Sequence, residues 1–256
     1  MLIRLSYIFK VFAPLLYKGD KVKCPVCEKS FSKFLSYGSN VAHRENVLCP
    51  YDLTLERHRL MWLYLTKESN FFTAEKLSVL HIAPEQCFLH KFKKQKNLEY
   101  LTADLMSPIA DMHFDVHDIP LESNRFDVLF CNHVMEHVDD PIKCMKEFYR
   151  VMKPGAWAIM QVPQDMSREL TYEDASITSP EQREIHFWQY DHVRLFGRDY
   201  PQWLEKAGFQ VDVFDIKQHY SSEQIASFCI SQDEMLYIAR KVGASVSDDK
   251  TTIDKL

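Results

Sequence analysis

The stretch FDVLFCNHVMEHVDDPIKCMKEFYRVMKPGAWAIMQVP, residues 126–163, carries the architecture of this chain. It begins within RFDVLFCN (125–132), an apolar run that ends on a polar residue and reads as a buried strand. DPIKCMKEFYRVMKPG (140–155) follows as a helix with Ile142, Met145, Phe148 and Met152 on one face, and the Pro-Gly pair predicts its end. AWAIMQVP (156–163) reads as the next strand.

The same alternation extends in both directions. Upstream, LSVLHIA (77–83), LEYLTAD (98–104) and MHFDVHD (112–118) read as three strands, with a helix from PEQCFLHKFKKQ between the first two. LTLERHRLMWLYLTKE (53–68) precedes them as a helix, with Thr54 available as its cap. Downstream, residues 164–198 are polar and irregular; a helix (YPQWLEKAG) and two further strands (FQVDVFDI, MLYIARK) follow. Strands alternating with helices imply an α/β fold with a mostly parallel sheet flanked by helices. Ligands of such sheets sit beyond the carboxyl ends of the strands. The residues of interest are therefore Ala83-Pro84-Glu85, Asp104, Asp118 and Asn132-His133.

At these positions the chain resembles the class I, Rossmann-like S-adenosylmethionine (SAM)-dependent methyltransferases. The resemblance rests on 126–163: a strand with a polar end, Glu136-His137-Val138, a short acidic turn with Pro141, a helix, Met152-Lys153-Pro154-Gly155 and another strand. AGFQV (207–211) matches the family's turn into its sixth strand, and the whole covers roughly residues 70–240. The resemblance implies SAM as cofactor. Asp104 would accept hydrogen bonds from the ribose hydroxyls, and Asp118 with Ile119 would contact the adenine. The first loop departs from the family's glycine-rich pattern: it reads His81-Ile82-Ala83-Pro84-Glu85-Gln86-Cys87. Ala83 is the smallest substitute for glycine, Pro84 suits a first helical turn, and Glu85 is placed to pair with the ammonium of SAM. An oxygen acceptor needs a base, and His133 and His192 are the candidates, with Asn132 beside them and His186 within reach. The alternative for Asp191, His192 and Arg194 is a hydrogen-bonded structural corner.

His133-Val134-Met135-Glu136-His137 also fits His-x-x-Glu-His, an inverted zinc-protease pattern. That chemistry needs both histidines on one helical face. Here the pentapeptide directly follows a buried strand and precedes an acidic turn, so the protease reading is set aside.

Near the N-terminus, Cys24-Pro-Val-Cys27 and Cys49-Pro-Tyr-Asp52 resemble the two knuckles of a zinc ribbon, with Asp52 where a fourth cysteine is usual. Leu55-Glu56-Arg57-His58-Arg59 matches the tail of that pattern. The expected ligands are Cys24, Cys27, Cys49 and Asp52, with His43 or His58 as substitutes and a vestigial site as the alternative. Residues 1–20 read as an amphipathic helix with Leu5, Ile8, Phe9, Phe12 and Leu16 on one face. That face either packs on the main domain or makes weak membrane-surface contact through residues 1–18. The expected organisation is thus 1–20 helix, 21–53 cysteine module, 54–241 methyltransferase domain and 242–256 disordered tail.

The chain has 256 residues, with 31 basic against 36 acidic side chains, so nothing global draws it to nucleic acid. Seven cysteines, an odd number, mostly in apolar runs, fit free thiols in a reducing cytoplasm. The resemblance implies methyl transfer to an unidentified acceptor, with O- or N-methylation of a small molecule or glycan as one form it could take. A non-catalytic SAM-fold protein serving as an interaction module is the competitor.

Overall fold

The computed structural model describes residues 12, 15–38 and 43–243. The expected membrane-facing or packing positions Leu5, Ile8 and Phe9, and nearly all of the expected tail, lie outside these. Phe12 and Leu16, from the same expected face, are exposed. Among the described residues, no helix is long and apolar enough to cross a membrane.

A seven-stranded sheet forms the centre, built from β5 (Leu77–Ile82), β6 (Leu98–Asp104), β7 (Met112–His113), β8 (Phe126–Cys131), β9 (Met152–Ile159), β12 (Gln210–Asp215) and β13 (Met235–Arg240). Their spatial order is β12-β13-β9-β8-β5-β6-β7. β5 pairs in parallel with β6 and β8, and β8 with β9; β13 runs antiparallel to both β9 and β12. Strands covered on both faces are apolar throughout, and here successive residues feed opposite cores. Val79, Phe130 and Ile159 pack on one side with helices α1 (Glu56–Lys67), α2 (Gln86–Lys93) and α6 (Ser222–Ser227). Leu80, Leu129 and Ala158 pack on the other with α3 (Pro141–Val151) and α5 (Tyr200–Lys206).

Local chemistry sets the element ends. Asp140 caps α3 by accepting from the Lys143 amide at 2.9 Å, and Pro141 fills the first helical position. The helix stops at Val151, earlier than the Pro-Gly pair implied, because Lys153 precedes a proline and is held extended. Pro154 and Gly155, the latter at φ +85°, instead form an irregularity inside β9. The third expected strand shrinks to Met112–His113. Helix α1 begins after Leu55 rather than at a Thr54 cap; the Leu55 amide donates to His58 Nδ1 at 3.0 Å. The segment read as irregular holds β10 (Tyr172–Glu173), α4 (Pro180–Phe187) and β11 (Arg194–Leu195).

The cysteine module consists of two hairpins, β1 (Lys18–Lys23) with β2 (Ser30–Phe31) and β3 (Leu35–Tyr37) with β4 (Arg44–Leu48). It shares one core with the larger sheet: Val22, Phe31 and Phe34 belong to the same cluster as Leu60, Phe88 and Ile225. Arg59, fully buried, ties the parts together. Its guanidinium donates to the carbonyls of Val47 (2.8 Å), Thr54 (2.7 Å), Phe228 (2.6 Å) and Cys229 (2.8 Å).

Candidate functional site

The carboxyl ends of β5, β6 and β8 open on a cleft of about 550 Å³, lined by Ala83, Asp104, Asp115, Val116, His133 and Val134 among others. Ala83 (φ +48°) and His133 (φ +55°) both adopt the left-handed backbone that disfavours a side chain, on neighbouring strand ends. Strain of this kind gathers at functional sites. Ala83 thus takes the conformation that glycine serves in the expected loop. Asp104 Oδ1 accepts from the amides of Met106 (2.8 Å) and Ser107 (2.7 Å), which fixes its carboxylate at the cleft wall.

Two expectations shift. Asp118 is exposed and Ile119 buried, and neither lines the cleft. The Ile119 amide donates to Glu147 Oε2 (3.0 Å) and its carbonyl accepts from Arg150 Nη2 (2.8 Å), so this pair is turned toward α3. Asp115 and Val116 stand in the cleft instead. The third strand ends at His113 rather than at residue 118, so the acid-apolar pair that reaches the cleft is Asp115-Val116.

Glu85 likewise faces inward. Its Oε2 meets His81 Nε2 at 2.5 Å, and its Oε1 accepts from Asn132 Nδ2 at 2.8 Å. His81 Nδ1 in turn meets the Tyr100 hydroxyl at 2.7 Å, and Asn132 Oδ1 accepts from the Gln161 amide at 3.0 Å. Burial raises the Glu85 pKa, but the opposing pull of His81, His58 and Asn132 outweighs it and holds the carboxyl at about 2. Glu85 and Asn132 are thus members of a network joining β5, β6, β8 and β9 beneath the cleft, and Pro84 is buried beside them.

A second, larger cleft of about 1130 Å³ adjoins the first. Its described lining includes Arg57, Glu136, Gln161, Trp188, His192 and Glu234. The two clefts share His133 and His137. His133 Nδ1 lies 3.1 Å from Glu136 Oε1, and burial depresses the His133 pKa despite that carboxylate. His192 lines only the larger cleft, its Nδ1 2.8 Å from the Phe187 carbonyl. His186 lines neither; its Nδ1 sits 3.4 Å from the Tyr172 hydroxyl. Residues 133–137 lie in a turn, so the two histidines of the protease-like pattern do not share a helical face. Of the three residues expected in a structural corner, buried Arg194 donates to the carbonyls of Met135 (2.7 Å) and Asp139 (3.2 Å) and pins that turn to β11. In the sequence, Arg57 stands out only as part of the cysteine motif's tail. It reaches the larger cleft, and its buried Nε has no hydrogen-bond partner among the described residues.

Cys24, Cys27, Cys49 and Asp52 converge, with one ligand atom from each within 4.8 Å of the others. The two knuckles repeat one backbone design. The Cys24 carbonyl accepts from Glu28 N and the Cys49 carbonyl from Leu53 N, while Cys24 N donates to Lys29 O and Cys49 N to Thr54 O. Glu28 (φ +61°) and Leu53 (φ +60°) close the turns alike, so Asp52 occupies the place equivalent to Cys27. The Cys27 and Cys49 sulfurs lie 3.9 Å apart. Two sulfurs bound tetrahedrally at zinc's usual distance are separated by about 3.8 Å, so the donor set fits that ion. Burial opposes ionisation of Cys24, yet hydrogen bonds from Cys27, Cys49 and Thr54 win and depress its pKa. His58 is not a substitute ligand: its Nδ1 serves the start of α1, and its ring meets Phe88 edge-on at 5.6 Å.

Comparison with known proteins agrees with the fold. A protein of transposon TN4556 from Streptomyces fradiae, described as uncharacterized, is 28% identical over 137 residues, which span 52% of this chain and 37% of that protein. The chain thus covers well under half of that curated relative. The [4+2]-cyclase SpnF superposes with a TM-score of 0.51 at 13% identity, over 93% of this chain and 96% of its own. A SAM-dependent methyltransferase from Archaeoglobus fulgidus gives a TM-score of 0.47 at 16% identity, over 71% of this chain and 93% of its own. The model of the methyltransferase domain matches residues 44–212, from the second hairpin of the cysteine module to β12, the sixth strand of the large sheet in chain order. With that match covering most of its length, the chain belongs to the methyltransferase-domain family.

Proposed function

We propose that this protein transfers a methyl group from SAM to a polar small molecule or glycan. One observation carries the reading. A cleft at the strand ends and a second, larger cleft meet at His133 and His137, as a donor and an acceptor must meet for in-line transfer. SAM supplies an activated methyl on a sulfonium centre, so the chain's work is mainly positioning.

In this assignment, Asp104 receives the ribose hydroxyls through the carboxylate oxygen left free by its turn. Asp115 and Val116 take the adenine in place of Asp118 and Ile119. Ala83 lets the backbone approach the cofactor, while Pro84, Glu85 and Asn132 hold that loop in position. Arg57 supplies positive charge in the larger cleft. His133, held by Glu136, is the residue best placed to accept an acceptor proton; His192 lies deeper in the same cleft. The acceptor cleft carries Glu136, Glu184, Asp233 and Glu234 beside Trp188 and Tyr190, a lining that suits a hydroxylated or amine-bearing ligand.

Zinc is assigned a structural role at Cys24, Cys27, Cys49 and Asp52, where it would neutralise the crowded thiolates. All seven cysteines are free, in keeping with a cytoplasmic setting. Calorimetric titration with SAM and S-adenosylhomocysteine tests the reading: micromolar binding of both is expected. Binding of neither would put the non-catalytic alternative in its place.

A further inference from the structure

The turn after β8 contains a second set of metal-ligating side chains, far in sequence from the cysteine knuckles. Glu136 and His137 lie in the turn itself, and His192 comes from the segment before β11. One carboxylate oxygen and one ring nitrogen from each histidine lie within 4.8 Å of one another. His192 Nε2 stands 4.0 Å from Glu136 Oε1, and the two imidazoles meet edge-to-face with centroids 4.7 Å apart.

Three details point to a ligand rather than to a closed hydrogen-bonded corner. First, His192 Nδ1 is 2.8 Å from the Phe187 carbonyl and must donate to it, which leaves the Nε2 lone pair free toward Glu136. His137 Nδ1 is turned to Asp191, 3.3 Å from its carbonyl and 3.5 Å from its carboxylate, which leaves its own Nε2 available. Metal-binding histidines are oriented in this way, by a second ring nitrogen donating to a carbonyl. Second, Glu136 is 1% exposed; its Oε1 meets His133 Nδ1 at 3.1 Å and stands 4.0 Å from His192 Nε2, while its Oε2 has no hydrogen-bond partner among the described residues. A buried carboxylate oxygen left unpaired is costly unless a cation meets it. Third, the arrangement is held rigid from outside: Arg194 fixes the carbonyls of Met135 and Asp139, and the Val193 amide donates to the Glu136 carbonyl at 2.9 Å.

We propose that Glu136, His137 and His192 bind one divalent transition-metal ion at the wall of the acceptor cleft. Two imidazoles and one carboxylate form a donor set for ions from manganese to zinc, and three protein ligands leave further positions open. His137 lines both clefts and Glu136 and His192 the larger one, so an acceptor oxygen could occupy such a position. There the ion would orient the acceptor and acidify its hydroxyl. That use rests on the methyl-transfer reading; the binding of the ion does not.

Cobalt(II) is a suitable probe, because thiolate ligation gives a charge-transfer band that nitrogen and oxygen ligation lacks. The full chain is dialysed to equilibrium against Co²⁺ and its bound metal and absorption are followed, with S-adenosylhomocysteine binding measured in parallel. One equivalent is expected that adds visible bands without thiolate charge transfer. His137→Ala, at a side chain 31% exposed and therefore easily tolerated, weakens that equivalent tenfold or more, and His192→Gln does the same. Uptake wholly accounted for by thiolate-linked absorption, or unchanged in both histidine variants, overturns the proposal. Cobalt uptake as expected without S-adenosylhomocysteine binding would keep the metal site and remove the methyl-transfer reading.

Discussion

Glu85→Gln isolates the charge at the centre of the network beneath the cofactor cleft. The amide keeps the carboxylate's shape. Its oxygen can still accept from Asn132, and its NH₂ can donate to His81 Nε2 if His81 moves its proton to Nδ1, facing Tyr100. What disappears is the negative charge that His81 and Asn132 stabilise against the cost of burial. The carboxyl's fall from 4.5 to about 2 corresponds to roughly 3 kcal/mol of native-state stability at neutral pH. Because the folded pKa is depressed, this contribution is complete above the unfolded value and fades as pH drops toward the folded one. Urea unfolding of wild type and variant at pH 7, 5.5 and 3.5 reads it directly. The expected gap is roughly 2–3 kcal/mol at the two higher pH values, and about 1 kcal/mol smaller at pH 3.5. In a melt at pH 7 the variant should fall by roughly 4–12 °C. A variant as stable as wild type at pH 7, or a gap that does not change between pH 7 and pH 3.5, would refute the assignment of Glu85 as a charged internal anchor.

Three further outcomes follow from the geometry. Asp104→Asn keeps an oxygen for the Met106 and Ser107 amides but removes the charge, so S-adenosylhomocysteine affinity should drop about 10–100-fold by calorimetry while the melting temperature barely moves. Arg59→Met strands the carbonyls of Val47, Phe228 and Cys229 inside the shared core; chemical denaturation should show a loss on the order of 3 kcal/mol or more. Asp52→Ala should lower the zinc content found by native mass spectrometry and the melting temperature together, whereas Asp52→Cys should hold zinc at least as tightly as wild type.

The sheet was legible in the sequence because its central strands are buried on both faces and must be apolar almost without interruption. Val79, Leu80, Phe130 and Cys131 signal a strand whatever else surrounds them. The site was less legible, for a different physical reason. Asp104 sits where a strand ends, and strand ends follow from local patterning. The fate of Glu85 depends on His81, four residues back across a loop, and on Asn132 from another strand, so its carboxylate turned inward against the expectation that it would meet a ligand. His58 offered itself as a metal ligand by composition, but the start of α1 claimed its lone pair.

The pentapeptide from His133 to His137 shows the same limit most sharply. The motif sits in a turn and cannot align its two histidines on a helix, as a protease would require. The third donor such a pattern calls for lies far downstream in the chain, where spacing alone does not single it out. Arg194, drawing the carbonyls of the turn toward β11, brings in His192 as the third donor. A pattern search along the chain pairs Glu136 with the wrong histidine: in space His133 orients the carboxylate through Oε1, while Oε2 is left facing no described donor. Removing Arg194 should therefore disturb a site to which it contributes no ligand. Arg194→Met, measured by cobalt uptake beside His137→Ala, separates a preorganised trio from three side chains that merely lie close. Loss of uptake in a variant that still folds supports preorganisation. Retention would mean that the turn holds its shape without the guanidinium.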